Sequence, residues 1–166
     1  LLSPLFQERE LTFKGNRGTS GIDGCLSTAI GYARKTSQPV YCILGDMAFM
    51  YDRNGLWGRA LPRNLCVIVL NNHGGGVFRL LPGAQDQTEL DEYFAFTYPT
   101  EFSHTAYQHD CGYFRAEDWS SLEAILPQIA PGVSQPTIVE LDFREKTNFS
   151  DQAAIQADML RKLSLE

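Results

Sequence analysis

The chain has 166 residues, 43% of them hydrophobic and 20% charged, with a net charge of −6. That length suits one domain around a single core; the apolar content excludes disorder, and the irregular glycines exclude collagen-like or coiled-coil repeats. The acidic balance argues against general nucleic-acid binding, and no run nears the ~18 apolar residues of a membrane helix.

Short apolar runs alternate with helical patterns along the chain. Leu11-Thr12-Phe13 reads as a brief strand, and Gly21 to Lys35 as a helix with Ile22, Leu26, Ala29, Ile30 and Ala33 at helical spacing. Pro39 introduces the strand Val40–Leu44, which ends at Gly45-Asp46. Met47 to Leu61 has a helical pattern weakened by Gly55 and Gly58. The almost wholly apolar run Leu65–Leu70, stopped by Asn71-Asn72, has the character of a buried central strand in a parallel sheet. In the second half a helix is expected over residues 101–110, a strand at Tyr113-Phe114-Arg115 and a helix from Asp118 to about Ile129. Pro136 precedes the strand Thr137–Leu141, and residues 150–163 have the pattern of a terminal amphipathic helix. This alternation predicts an α/β fold: a doubly wound, mainly parallel sheet with helices on both faces, as one domain spanning residues 1–166. The start at Leu1 rather than Met suggests a piece of a longer protein.

Charge is unevenly placed. Residues 1–83 hold nine Lys/Arg against five Asp/Glu, residues 84–166 five against fifteen, and twelve of the fourteen glycines fall in the first half. A glycine-rich, mildly basic half suits a small anionic ligand held by backbone groups, although a merely solvated acidic face explains the asymmetry as well. Cys25, Cys42, Cys66 and Cys111 are scattered without CxxC pairing, which argues for reduced thiols and a cytoplasmic location over zinc or disulfides.

In open α/β sheets ligands sit at the carboxyl ends of strands. Three polar, glycine-rich segments fall at such ends: residues 15–21, Gly45-Asp46, and Asn71 to Gly76. The first lacks both GxGxxG and a P-loop GK[ST], and offers a flexible turn with the guanidinium of Arg17. The other two end neighbouring strands. The Asp46 carboxylate, the Asn72 carboxamide oxygen and the Gly74 carbonyl are hard oxygen donors of the kind Mg²⁺ takes while it keeps phosphate oxygens and water. Gly74-Gly75-Gly76 would admit a diphosphate close to the backbone. The alternative is local: Asp46 capping the following helix and Asn71-Asn72 making a turn.

Gly45-Asp46-Met47, followed after twenty-three residues by Asn71-Asn72, resembles the GDG…NN motif of the thiamine-diphosphate enzymes. It departs from that motif in Met47, where the family has a third glycine, and in a spacer one residue short. Together with Asn16–Gly24 and Asn71–Phe78 it is similar to the branch of 2-succinyl-5-enolpyruvyl-6-hydroxy-3-cyclohexene-1-carboxylate synthases of menaquinone biosynthesis, in which GDL or GDM replaces GDG. The matching motifs lie within residues 15–82.

The resemblance implies the thiamine-diphosphate-binding fold, with thiamine diphosphate and Mg²⁺ as cofactors and Mn²⁺ as the alternative ion. Asp46, Asn72 and the Gly74 carbonyl would hold the metal. Gly45, Met47, Ala48 and Gly75 would contact the diphosphate, and Ile22 would support the cofactor's V-shaped conformation unless it simply packs in the core. Arg17 would bind a substrate carboxylate, and Val77, Phe78 and Leu81 would line an apolar substrate wall, with loop structure and core packing as the respective alternatives. His73 carries no implied role, and His104 and His109 read as surface or packing residues. The family reaction decarboxylates 2-oxoglutarate and adds the resulting carbanion equivalent to isochorismate. Its enzymes are homo-oligomers, dimers or tetramers, in which a glutamate that activates the cofactor comes from a separate N-terminal domain of a partner subunit. No glutamate here matches that context, so the chain is expected to carry half a site and to be inactive alone. The rival readings are a domain of an acetolactate synthase or pyruvate decarboxylase type enzyme, and a non-catalytic α/β anion-binding module.

Overall fold

The computed structural model describes residues 12–16, 18, 21–58, 60–84, 86–95 and 98–143. Among the described residues eight helices and strands follow one another: α1 (Cys25–Ala33), β1 (Val40–Gly45), α2 (Asp46–Asp52), β2 (Leu65–Asn71), α3 (Ser103–Gln108), β3 (Gly112–Ala116), α4 (Trp119–Ile129) and β4 (Thr137–Asp142). All strand pairs are parallel, in the order β1-β2-β4-β3. The chain thus steps outward from β2 to β3 at the edge, then returns to insert β4. That reversal puts α4 on the opposite face from the preceding helices, as one crossover hand requires. One face buries Leu44, Val67, Val69 and Ile138 under Leu26, Ile30, Phe49 and Ala106; the other buries Cys66 and Val139 under Ile125 and Ile129. The expected α/β sheet with helices on both faces is what forms.

Local differences have physical causes. The helix expected over residues 47–61 stops at Asp52 and tightens into a 3-10 turn over Arg53–Trp57. Gly55 lets that turn lie against α1, where an added Cβ would stand 2.6 Å from Ser27 Oγ. The first helix begins only at Cys25, because Gly24 has a left-handed φ of 69°. Thr12 and Phe13 form no strand, contrary to the pattern, and Leu11 lies outside the described residues. So does the expected helix over 150–163. A 3-10 turn over Gly76–Leu80 and a single π turn over Leu90–Phe94 carried no signal of their own.

Candidate metal and anion site

Strand register decides what meets at the sheet's carboxyl edge. Gly45 pairs with Leu70, Leu70 with Leu141, and Asn71 with Asp142. Asp46 therefore comes level with Asn71 and Asp142 of the neighbouring strands, with Asn72 one residue beyond. Gly45 is exposed and has open space where a side chain would stand, so its smallness serves nothing in the chain's own packing. Asp46 is only 4% exposed. Its Oδ1 accepts the Met47 N–H and its Oδ2 the Gly74 N–H, both at 2.8 Å. Burial pushes the Asp46 carboxyl above its usual range, and these two N–H groups, with His73 nearby, oppose the shift.

The carboxamide end of Asn72 stands 3.1 Å from Asp46 Oδ1 and 2.9 Å from the Gly74 carbonyl oxygen. With its amide nitrogen in that position it donates to both. With its oxygen there, it would stand from each of the two neighbouring oxygens near the roughly 2.8–3.0 Å that separates adjacent ligands of an octahedron with 2.0–2.1 Å bonds. One turn of an amide thus converts a hydrogen-bonded cluster into a donor set that fits Mg²⁺. Among the described residues no three of His, Cys, Asp and Glu gather for a metal, so a cation here would rely on one carboxylate and two neutral oxygens.

The remaining expected residues divide. Ile22 is 40% exposed, Val77 58% and Leu81 44%, so none of the three is a core residue. Phe78 is half-buried and meets Phe94 edge-on at 5.6 Å. Met47 and Ala48 are half-buried at the start of α2, and the Met47 N–H is already engaged by Asp46. Gly75 is required by the chain itself, since a Cβ there would stand 2.1 Å from the Phe94 carbonyl oxygen. Arg17 lies outside the described residues. His104 is exposed and His109 half-buried.

A buried polar layer beneath the site was not expected. Glu140, fully buried in β4, accepts from Asn71 Nδ2 at 2.6 Å, the Phe102 N–H at 3.0 Å and the Tyr113 hydroxyl at 2.7 Å. Burial, reinforced by the Glu140 carboxylate, holds the Tyr113 hydroxyl in its protonated form. Two residues on, Asp142 accepts from His73 Nε2 at 2.8 Å and from Arg115 Nη2 at 2.6 Å. Two acids at alternate positions of an otherwise apolar strand were the one available signal, because charges are rarely buried without partners.

Comparison with known proteins adds a second line of observation. Residues 5–141 match the family model described as thiamine pyrophosphate enzyme, C-terminal TPP binding domain. Proteins named 2-succinyl-5-enolpyruvyl-6-hydroxy-3-cyclohexene-1-carboxylate synthase are similar over most of the chain. The one from Flavobacterium johnsoniae is 43% identical over 76% of this chain and 23% of its own length. The one from Cytophaga hutchinsonii is 46% identical over 72% and 21%. The one from Bacillus velezensis is 36% identical over 93% and 26%. The chain spans about a quarter of the length of these relatives.

Proposed function

Because the chain belongs to the thiamine pyrophosphate enzymes' C-terminal TPP-binding domain family, we propose that it is the Mg²⁺- and diphosphate-binding domain of a 2-succinyl-5-enolpyruvyl-6-hydroxy-3-cyclohexene-1-carboxylate synthase. The observation that carries this reading is the approach of the Asn72 carboxamide to Asp46 Oδ1 at 3.1 Å and to the Gly74 carbonyl oxygen at 2.9 Å, beside the open backbone at Gly45. Asp46, Asn72 and the Gly74 carbonyl hold the ion, and the ion with the open backbone at Gly45 and the start of α2 holds the diphosphate of thiamine diphosphate. Bound there, the cofactor supplies the electron sink for decarboxylating a 2-oxo acid. The chain's part is to bind and orient it. Asp46, already desolvated, needs no further water stripped from it when the cation arrives.

The likeness to these relatives supports 2-oxoglutarate and isochorismate as substrates of the whole enzyme, which we take to be a transferase working in the cytoplasm. Among the described residues no helix is long and apolar enough to cross a membrane. Arg17 takes a substrate carboxylate, Val77, Phe78 and Leu81 form the apolar wall, and Ile22 supports the cofactor. A further domain of a partner subunit completes the site with the activating acid, so turnover requires a homo-oligomer of the longer protein. Calorimetric titration of thiamine diphosphate, with and without Mg²⁺, into this chain and into Asp46→Ala tests the reading. Heat that requires Mg²⁺ and vanishes in the variant is expected. Binding indifferent to both changes overturns the assignment.

A further inference from the structure

His73 stands between the two neutral oxygen donors, Asn72 and Gly74, in a left-handed conformation with φ 58°. For a residue with a Cβ that conformation costs about 1–2 kcal/mol, so something must hold it. Every polar group of His73 is engaged. Its N–H donates to Asn71 Oδ1 at 3.1 Å, and its carbonyl accepts from the Tyr98 N–H at 2.7 Å. In the ring, Nδ1 accepts the Thr100 N–H at 3.3 Å and Nε2 faces Asp142 Oδ1 at 2.8 Å. A ring whose Nδ1 accepts a backbone N–H must carry its hydrogen on Nε2 and donate it to Asp142. His73 is 2% exposed, and Asp142 is in turn held by Arg115 from β3.

We propose that His73 is a positioning residue for the cation site, with Asp142 as its anchor: the side chain pins the left-handed turn that sets the Asn72 carboxamide and the Gly74 carbonyl facing Asp46. The inference rests on the reading of those three groups as metal ligands. Its physical content is that the turn between the two neutral ligands is fixed from below, by an imidazole seated on the end of β4, before any ion arrives. Hydrogen-bond partners held directly on ligands are worth about 10–100-fold in metal affinity, and His73, acting through the backbone between the two ligands, belongs at the lower end of that range.

The test combines Mn²⁺ binding, read by electron paramagnetic resonance with thiamine diphosphate present, with Gly74 amide hydrogen exchange in the metal-free chain. His73→Gly keeps the left-handed backbone allowed while deleting the imidazole. Asp142→Ala removes the anchor, and Asp142→Asn restores an acceptor for Nε2–H without the charge. Expected are a loss of about tenfold in Mn²⁺ affinity and faster Gly74 exchange in His73→Gly and Asp142→Ala, with both readouts rescued in Asp142→Asn. Thermal melting of each variant reports global stability separately, and a role confined to the β3–β4 ion pair would leave Asp142→Asn as impaired as Asp142→Ala. Unchanged Mn²⁺ affinity and Gly74 exchange in His73→Gly overturn the proposal while leaving the metal assignment standing. Failure of the unsubstituted chain to bind Mn²⁺, with the exchange differences intact, overturns the metal assignment and with it the positioning role.

Discussion

At the scale of single residues, the site is a balance between burial and hydrogen bonding around one carboxylate. Because burial raises the Asp46 carboxyl above its unfolded value, its protonated form supports the fold below the unfolded value. That support is lost as pH rises through the folded value. The metal-free chain should therefore lose stability through that window relative to Asp46→Ala, and Mg²⁺ with thiamine diphosphate should cancel the loss by favouring the ionised form. Melting curves of the two chains from about pH 4 to 7, with chelator and with cofactor, check this, and a constant difference would refute it. Gly75 makes a second case. Its approach to the Phe94 carbonyl oxygen leaves no room for a methyl group, so Gly75→Ala should destabilise the metal-free chain by about 1–3 kcal/mol in urea unfolding. The glycine run had suggested space for a diphosphate; at this position the space is filled by the π turn. That was illegible in the sequence because Gly75 and Phe94 belong to different local structures.

At the scale of elements, what was legible was what is local. Asp118 caps α4 by accepting the Ser121 N–H, and Ser121 Oγ accepts the Asp118 N–H in return, within three residues. The equivalent job at α1 is done from a distance. Gly24 offers no side chain, and Asp52 at the end of α2 accepts from Ser27 N at 2.6 Å and Ser27 Oγ at 2.7 Å. A cap from twenty-five residues away leaves no pattern at the helix it serves, which is why α1 could be placed but not its start. Asp52→Ala should cost about 0.5–2 kcal/mol, as loss of a helix cap does, and equilibrium denaturation should show it without loss of the sheet's circular dichroism. The strands were legible because β2 and β4 are buried on both faces and read as apolar runs. Their order was not, since insertion of β4 between β2 and β3 depends on which crossover packs best.

At the scale of the whole molecule, the sheet brings polar side chains from three neighbouring strands to one edge, while its thiols are buried or half-buried. Burial pushes Cys66 and Cys111 up to about 11 and Cys42 to about 12. In the native chain at about pH 8 these three thiols should react far more slowly with a disulfide reagent than after unfolding, where all four are counted. Fast reaction of Cys66 in the native state would contradict its 1% exposure. The segment 98–102 has a different kind of consequence. It grips the Asn71–His73 turn through the Tyr98 and Thr100 N–H groups and the Thr100 carbonyl, all of them peptide groups. A survey that swaps side chains one at a time is blind to such a hold: Thr100→Ala keeps both main-chain bonds, and only proline there, which deletes the N–H, would expose it. Contacts on which the turn carrying Asn72 and Gly74 leans are thus invisible to mutagenesis by alanine, and backbone amide-to-ester replacement at Thr100 is the chemistry that would weigh them.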